Sequence, residues 1–206
     1  MERKRVGILI FPDVEILDFC GPYEVFSATH LNPARRREEP SPFEVFLVAE
    51  TKNTITTTGG LRVIPDYTLE DCPAFHILVV PGGWGVRKEI GNESLIGWLG
   101  DRALKAETVA SVCTGAMLLG RAGLLDGLRA TTHWGSLNWM RESFPNVAVE
   151  EKFHVIEEGR IITSAGISAG IDMALRLVMR YFGEAVARET ARYMEYRFPD
   201  DNSRRV

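Results

Sequence analysis

The sequence predicts an α/β fold in which a mainly parallel sheet carries helices on both faces. Short apolar runs without polar alternation recur along the chain, as strands buried on both sides require. Between them lie longer segments with apolar residues at helical spacing, so strands and helices alternate rather than forming blocks. No repeat, linker or shift in composition divides the 206 residues, and a single domain over 1–206 is expected.

Val6–Phe11 is the first such run, closed by Pro12-Asp13. The stretch 15–28 carries Ile16, Leu17, Phe19, Val25 and Phe26, broken by Gly21-Pro22. That predicts a helical turn followed by a helix starting near Pro22, a residue suited to a first helical position. Residues 31–42 read as a polar loop and Phe43–Val48 as a second strand. Thr54–Thr57 and Leu61–Ile64 flank Gly59-Gly60, the pattern of a hairpin. His76–Val80 is a buried strand that runs into Pro81-Gly82-Gly83-Trp84-Gly85, and a helix over Ser94–Lys105 precedes the strand Thr108–Val112. Thr114–Gly120 opens the next helix, followed by a short strand Ala130–His133 and a helix Leu137–Phe144. Val147–Glu150 and Phe153–Thr163 are strands, the second turning at Glu158-Gly159; Ile167–Tyr181 and Glu184–Tyr193 are helices. The polar tail Pro199–Val206 is expected to fray.

Composition narrows the function. With 24 basic against 28 acidic residues the net charge is −4, which gives no basic field for nucleic acid. The charged start Met1–Arg5 leads into only six apolar residues, too few for a signal-peptide core or a membrane span. Three cysteines (Cys20, Cys72, Cys113) without metal-ligand spacing argue against a disulfide scaffold and a structural metal, so a cytoplasmic protein is expected.

Ligands of parallel sheets bind beyond the carboxyl ends of the strands, which gathers the loops after Phe11, Val80 and Val112. Cys113 stands where a buried strand turns into a helix, a nucleophile elbow like that of serine hydrolases. Free N–H groups and the helix dipole at that point favour thiolate, although free cysteine is also a common core residue. Gly82 and Gly83 leave backbone N–H groups unobstructed; Gly83 with Thr114 would make a two-donor oxyanion hole, and a plain tight turn is the competing role. Asp18, set between Leu17 and Phe19, is either a general acid/base beside the sulfur or a helix cap. His133 has no third residue to orient it and reads as a structural or pocket-edge histidine. Glu24 fits a cysteine-facing or an exposed helical position equally, Cys20 and Cys72 read as structural, and Asp172 as a group serving a helix dipole or a subunit contact.

Five ordered motifs add a resemblance. They are Leu17–Phe26, Val80–Gly83, Ser111–Ala116, Ala130–Trp134 and Thr163–Asp172, and together they resemble the ThiJ/PfpI superfamily, most closely its isonitrile hydratase branch and the sensing halves of AraC-type regulators. The resemblance implies a flavodoxin-like three-layer αβα sandwich and a homodimer. It implies Cys113 as nucleophile, Asp18 as catalytic carboxylate and Thr114 as the residue that orients the sulfur. Ile167, Trp84, His133 and Gly82 would border the substrate, a small molecule, with no cofactor. Thr114 stands where the protease branch has histidine, which counts against a peptidase. The chain ends soon after its last helix, without room for the DNA-binding units of the regulators. Two functions follow as expectations: a thiol-dependent isonitrile hydratase, or a stand-alone ligand or redox sensor.

Overall fold

Every residue of Ile77–Val80 and Thr108–Val112 is buried, and the two runs pair in parallel with Val79 opposite Ala110. They form the middle of a sheet in a computed structural model that describes residues 2–205. The strands are β1 (Lys4–Leu9), β2 (Phe43–Ala49), β3 (Ile55–Thr56), β4 (Arg62–Val63), β5 (Tyr67–Thr68), β6 (Ile77–Val80), β7 (Thr108–Val112), β8 (Arg129–Ala130), β9 (Ala148–Val149), β10 (Val155–Glu158) and β11 (Ile161–Ser164). The helices are α1 (Ile16–Ala28), α2 (Val86–Glu89), α3 (Glu93–Lys105), α4 (Gly115–Arg121), α5 (Leu137–Ser143), α6 (Ala169–Phe182) and α7 (Glu184–Tyr193).

Seven strands pair in the order β10-β11-β7-β6-β1-β2-β5, parallel except for β10 against β11. Helices α1, α6 and α7 pack together on one face, while α3 and α4 cover the other around β6 and β7. This is the predicted flavodoxin-like three-layer arrangement. Ile8, Ile77, Leu78, Leu99, Leu118 and Leu119 are wholly buried between the layers. Each such side chain contributes ~1.5–3 kcal/mol of apolar burial.

Four expectations need correction. Helix α1 starts at Ile16 rather than near Pro22, and Pro22 lies inside it. Burial of Phe19, Val25 and Phe26 outweighs the hydrogen bond that proline cannot donate, and a Cβ on Gly21 would sit 3.1 Å from Ile171, so glycine lets α1 approach α6. The run Ala130–His133 is a strand only at Ala130; β8 pairs with β9 in a separate two-stranded sheet, and Thr131 and Thr132 spend their polar groups on tertiary bonds. Two short elements, α2 and β5, escaped detection because two to four residues carry no periodicity.

The tail is the fourth. Asn202 pairs through its side chain with both the N–H and the C=O of Val155, Ser203 bridges to Phe153, and Arg204 Nη2 donates to Thr131 Oγ1 and the Thr132 carbonyl. Arg205 reaches the buried Asp172 at 2.8 Å. A polar tail reads as frayed from sequence, yet these polar groups find fixed partners on the chain. Val206 lies outside the described residues.

Candidate active site around Cys113

The carboxyl end of β7 delivers Cys113 with φ 57°, a left-handed conformation that side chains other than glycine rarely adopt. Three backbone hydrogen bonds hold it there. Its N–H is shared between the carbonyls of Ser164 (3.2 Å) and Ala165 (3.1 Å), and its carbonyl accepts from Thr132 Oγ1 at 2.8 Å. Gly115 must lack a side chain, since a Cβ there would lie 2.0 Å from the Val80 carbonyl. Strain of this kind costs about 1–3 kcal/mol and persists where its surroundings over-determine it.

Asp18, in the first turn of α1, has no exposed surface. Its Oδ2 accepts from the Gly82 N–H at 2.9 Å, while Oδ1 has no hydrogen-bond partner. Burial pushes the carboxyl up to about 8, against the pull of the Gly82 N–H. Burial also pushes the Cys113 thiol well above its usual range, and the negative charge of Asp18 adds to that. The N–H and hydroxyl of Thr114 act in the opposite sense but are outweighed. The shift runs against the thiolate expected at a helix N-terminus: desolvation of the sulfur and the charge of Asp18 act in the opposite sense to the helix dipole.

The oxyanion hole expected from Gly83 and Thr114 is also not preformed. The Gly83 N–H donates to Thr114 Oγ1 at 3.0 Å, and the Thr114 N–H serves the sulfur itself. Gly82 donates to Asp18 and is buried beneath the cavity rather than lining it. All three amide donors are committed to holding side chains. A Cβ on Gly82 would lie 2.5 Å from both the nitrogen and the hydroxyl of Thr114 and 3.0 Å from Asp18 Oδ2. Glycine is what allows these three groups to converge.

Above the sulfur lies a cavity of about 330 Å³, lined by Cys113, Thr114, Gly83, Trp84, His133 and Ile167 together with Glu15, Arg87, Trp134, Gly135 and Ser136. Trp84 and Trp134 are exposed at its mouth. His133 Nδ1 accepts from the Gly135 N–H at 3.2 Å, which leaves the ring proton on Nε2. Burial and the nearby Arg204 hold that histidine below the usual imidazole range. Gly166 closes the floor: a Cβ there would stand 2.7 Å from the His133 ring and 2.8 Å from the Cys113 sulfur.

Sequence reasoning missed Glu15, Arg87, Gly166 and Thr132. Glu15 occupies the cap position of α1 and its charge raises both Asp18 and His133. Starting α1 at Ile16 would have placed Glu15 and Asp18 three residues apart on one helix end. Arg87 belongs to the undetected α2. Other singled-out groups lie elsewhere. Glu24 borders a surface depression with His30 and Tyr193. Asp172 binds Tyr196 (2.8 Å), Arg205 and His154 inside the molecule. Cys20 and Cys72 are free thiols. Among the described residues no group of three or more His, Cys, Asp or Glu is placed to hold a metal ion. No helix among them is long and apolar enough to cross a membrane.

The family model described as DJ-1/PfpI matches residues 4–180. The isonitrile hydratase of Pseudomonas putida is 36% identical over 193 residues, covering 93% of this chain and 78% of that protein. The HTH-type transcriptional regulator GbdR of Pseudomonas aeruginosa is 34% identical over 187 residues, and the match spans 89% of this chain but only 48% of the regulator. Among solved structures, a ThiJ/PfpI family protein from Pseudomonas syringae superposes with a TM-score of 0.84 at 27% identity, covering 98% of this chain and 77% of that one.

Proposed function

This chain belongs to the DJ-1/PfpI family, and within it we propose a cofactor-independent hydratase that converts isonitriles to N-substituted formamides through Cys113. The observation that carries the reading is the buried Asp18 carboxyl beside the Cys113 sulfur, which itself opens onto the cavity. An uncharged acid beside a thiol suits a substrate whose single terminal carbon must gain both a sulfur and a hydrogen. In the first step the Cys113 S–H adds across that carbon. The C–S and C–H bonds form, Asp18 hands its proton to carbon from Oδ1 and recovers the thiol proton, and the product is the thioimidate R–N=CH–S. In the second step Asp18 gives its proton to the thioimidate nitrogen, and the resulting carboxylate takes a proton from the water that adds to the same carbon. The remaining proton of that water passes to sulfur as the C–S bond breaks, which releases R–NH–CHO and leaves both the thiol and the Asp18 acid restored. General acid–base help of this kind contributes typically 10²–10⁴-fold.

Cyclohexyl isocyanide is the test substrate, with formamide formation followed by absorbance. Turnover that disappears in Cys113→Ala supports the reading; unchanged turnover in that variant overturns it.

A stand-alone sensor of small ligands or oxidants is the second reading, supported by the 34% identity to the regulator GbdR. It requires no turnover of the isocyanide together with selective peroxide oxidation of Cys113. Either reading is proposed for a cytoplasmic homodimer that binds neither nucleic acid nor membrane. Leu17 and Tyr23 on α1 offer exposed apolar surface for the pairing, and sedimentation measures it.

A further inference from the structure

The cavity over Cys113 is chemically lopsided. Glu15 lines its wall, close enough to the buried Asp18 for its charge to raise that carboxyl. Its rim holds a single cation, Arg87, whose guanidinium lies 4.4 Å from the Trp84 ring centroid and 5.4 Å from that of Trp139. Two indole faces fix the direction of that fork without neutralising it. Many surface arginines of this chain are satisfied by an acid, as Arg121 is by Glu93 and Arg141 by Glu151; Arg87 has no such partner among the described residues. An arginine held between aromatic rings and left without a carboxylate is prepared for a planar anion, which it can grip with two parallel N–H bonds.

We infer that the substrates of this site are isonitriles with a flat apolar body and an anionic group at the end remote from the –NC carbon, held by Arg87 between Trp84 and Trp139. The inference rests on the hydratase reading and adds the class of substituent. Polarity fixes the orientation. An anion pointing inward would meet the Glu15 carboxylate, so the uncharged –NC end enters first and the charge stays at the rim with Arg87. Trp84 and Trp134, both exposed at the mouth, supply faces for the flat portion to stack on. A cavity of about 330 Å³ suits a single ring with its two substituents, near the lower end of small-molecule sites.

The probes are 4-isocyanobenzoate and its methyl ester, which differ in charge but hardly in shape. For the wild-type protein at low ionic strength, kcat/KM for the acid is expected to exceed that for the ester by at least tenfold. The ratio should fall as salt rises. In Arg87→Gln it should collapse toward one through a rise in KM for the acid, and Arg87→Lys should restore part of it. A wild-type ratio near one, or a loss in Arg87→Gln shared equally by both probes, overturns the inference. A second arm needs no turnover. Calorimetry on Cys113→Ala with 4-formamidobenzoate and its methyl ester should show the acid binding about tenfold tighter, a difference removed by adding Arg87→Gln. Equal binding overturns the anion contact. If wild type hydrates neither probe while calorimetry shows the preference, the hydration reading fails and the Arg87 contact stands.

Discussion

The Asp18 carboxyl, raised by its own burial and by the charge of Glu15, in turn pushes the buried Cys113 thiol further toward its protonated form, while the hydrogen bond from Cys113 pulls the carboxyl the other way without overcoming burial. The acid that hydration needs is thus present at neutral pH, and the sulfur becomes nucleophilic only as its proton leaves.

Removing the acid separates chemistry from packing. Asp18→Asn keeps an acceptor for the Gly82 N–H but has no proton to relay, so kcat for cyclohexyl isocyanide should fall at least 100-fold. The same variant should lower the pH at which the Cys113 thiolate appears by ultraviolet absorbance, since a repelling charge has gone. A thiolate midpoint that stays put would contradict the pairing.

The pH dependence of stability follows with a definite sign. Asp18 has a folded-state value of about 8, above the ordinary 3.8, so between these limits the folded chain holds a proton that the unfolded chain has lost. Stability through this group is full below about pH 4, falls as pH rises, and levels off beyond about 8. Thermal melts of wild type should decline across that window, and Asp18→Asn should flatten the decline. Turnover should drop above pH 8 for the same reason.

Gly82 offers a steric test. In Gly82→Ala the new methyl meets backbone and hydroxyl atoms of Thr114 at 2.5 Å, atoms that no flexible side chain end can move aside. The expected result is a loss of at least 100-fold in kcat, with Tm lowered by several degrees.

Thr114→Val probes the amide that was expected to stabilise an oxyanion. It keeps the shape of the side chain but strips the Gly83 N–H of its acceptor, a loss of about 1 kcal/mol at a part-buried site. Chemical denaturation measures that. Should the freed N–H instead serve a developing charge, kcat would rise rather than fall.

Arg204 ties the tail to Thr131 and Thr132, and Thr132 in turn holds the Cys113 carbonyl. Arg204→Ala should speed amide hydrogen exchange around residues 131–133 and lower kcat several-fold. Exchange confined to the tail itself would rule out the linkage.

The layer order and the elbow were legible because buried parallel strands leave apolar runs such as Ile77–Val80, which lack the polar alternation of a half-exposed strand. Asp18 stood out as a charge among apolar neighbours. What escaped was whatever depended on close approach or on very short elements. A proline inside α1 hid the helix start and with it Glu15. The four residues of α2 hid Arg87. The helix dipole that favours a thiolate is visible in sequence order, whereas the burial that opposes it exists only once the chain has folded. In sequence Gly82 and Gly83 read equally as open donors or as a tight turn, and only the fold brings up the Asp18 and Thr114 side chains that use their N–H groups.

The Asn202 side chain satisfies both the donor and the acceptor of Val155, much as an added strand would. Strand β10 stands at the end of the sheet order, where a bare ladder invites pairing between molecules. One amide side chain therefore blunts that margin against edge-to-edge polymerisation. Shortening the chain to residue 199 would uncover it, and the foreseeable failure is insoluble aggregates at concentrations where the intact protein stays clear.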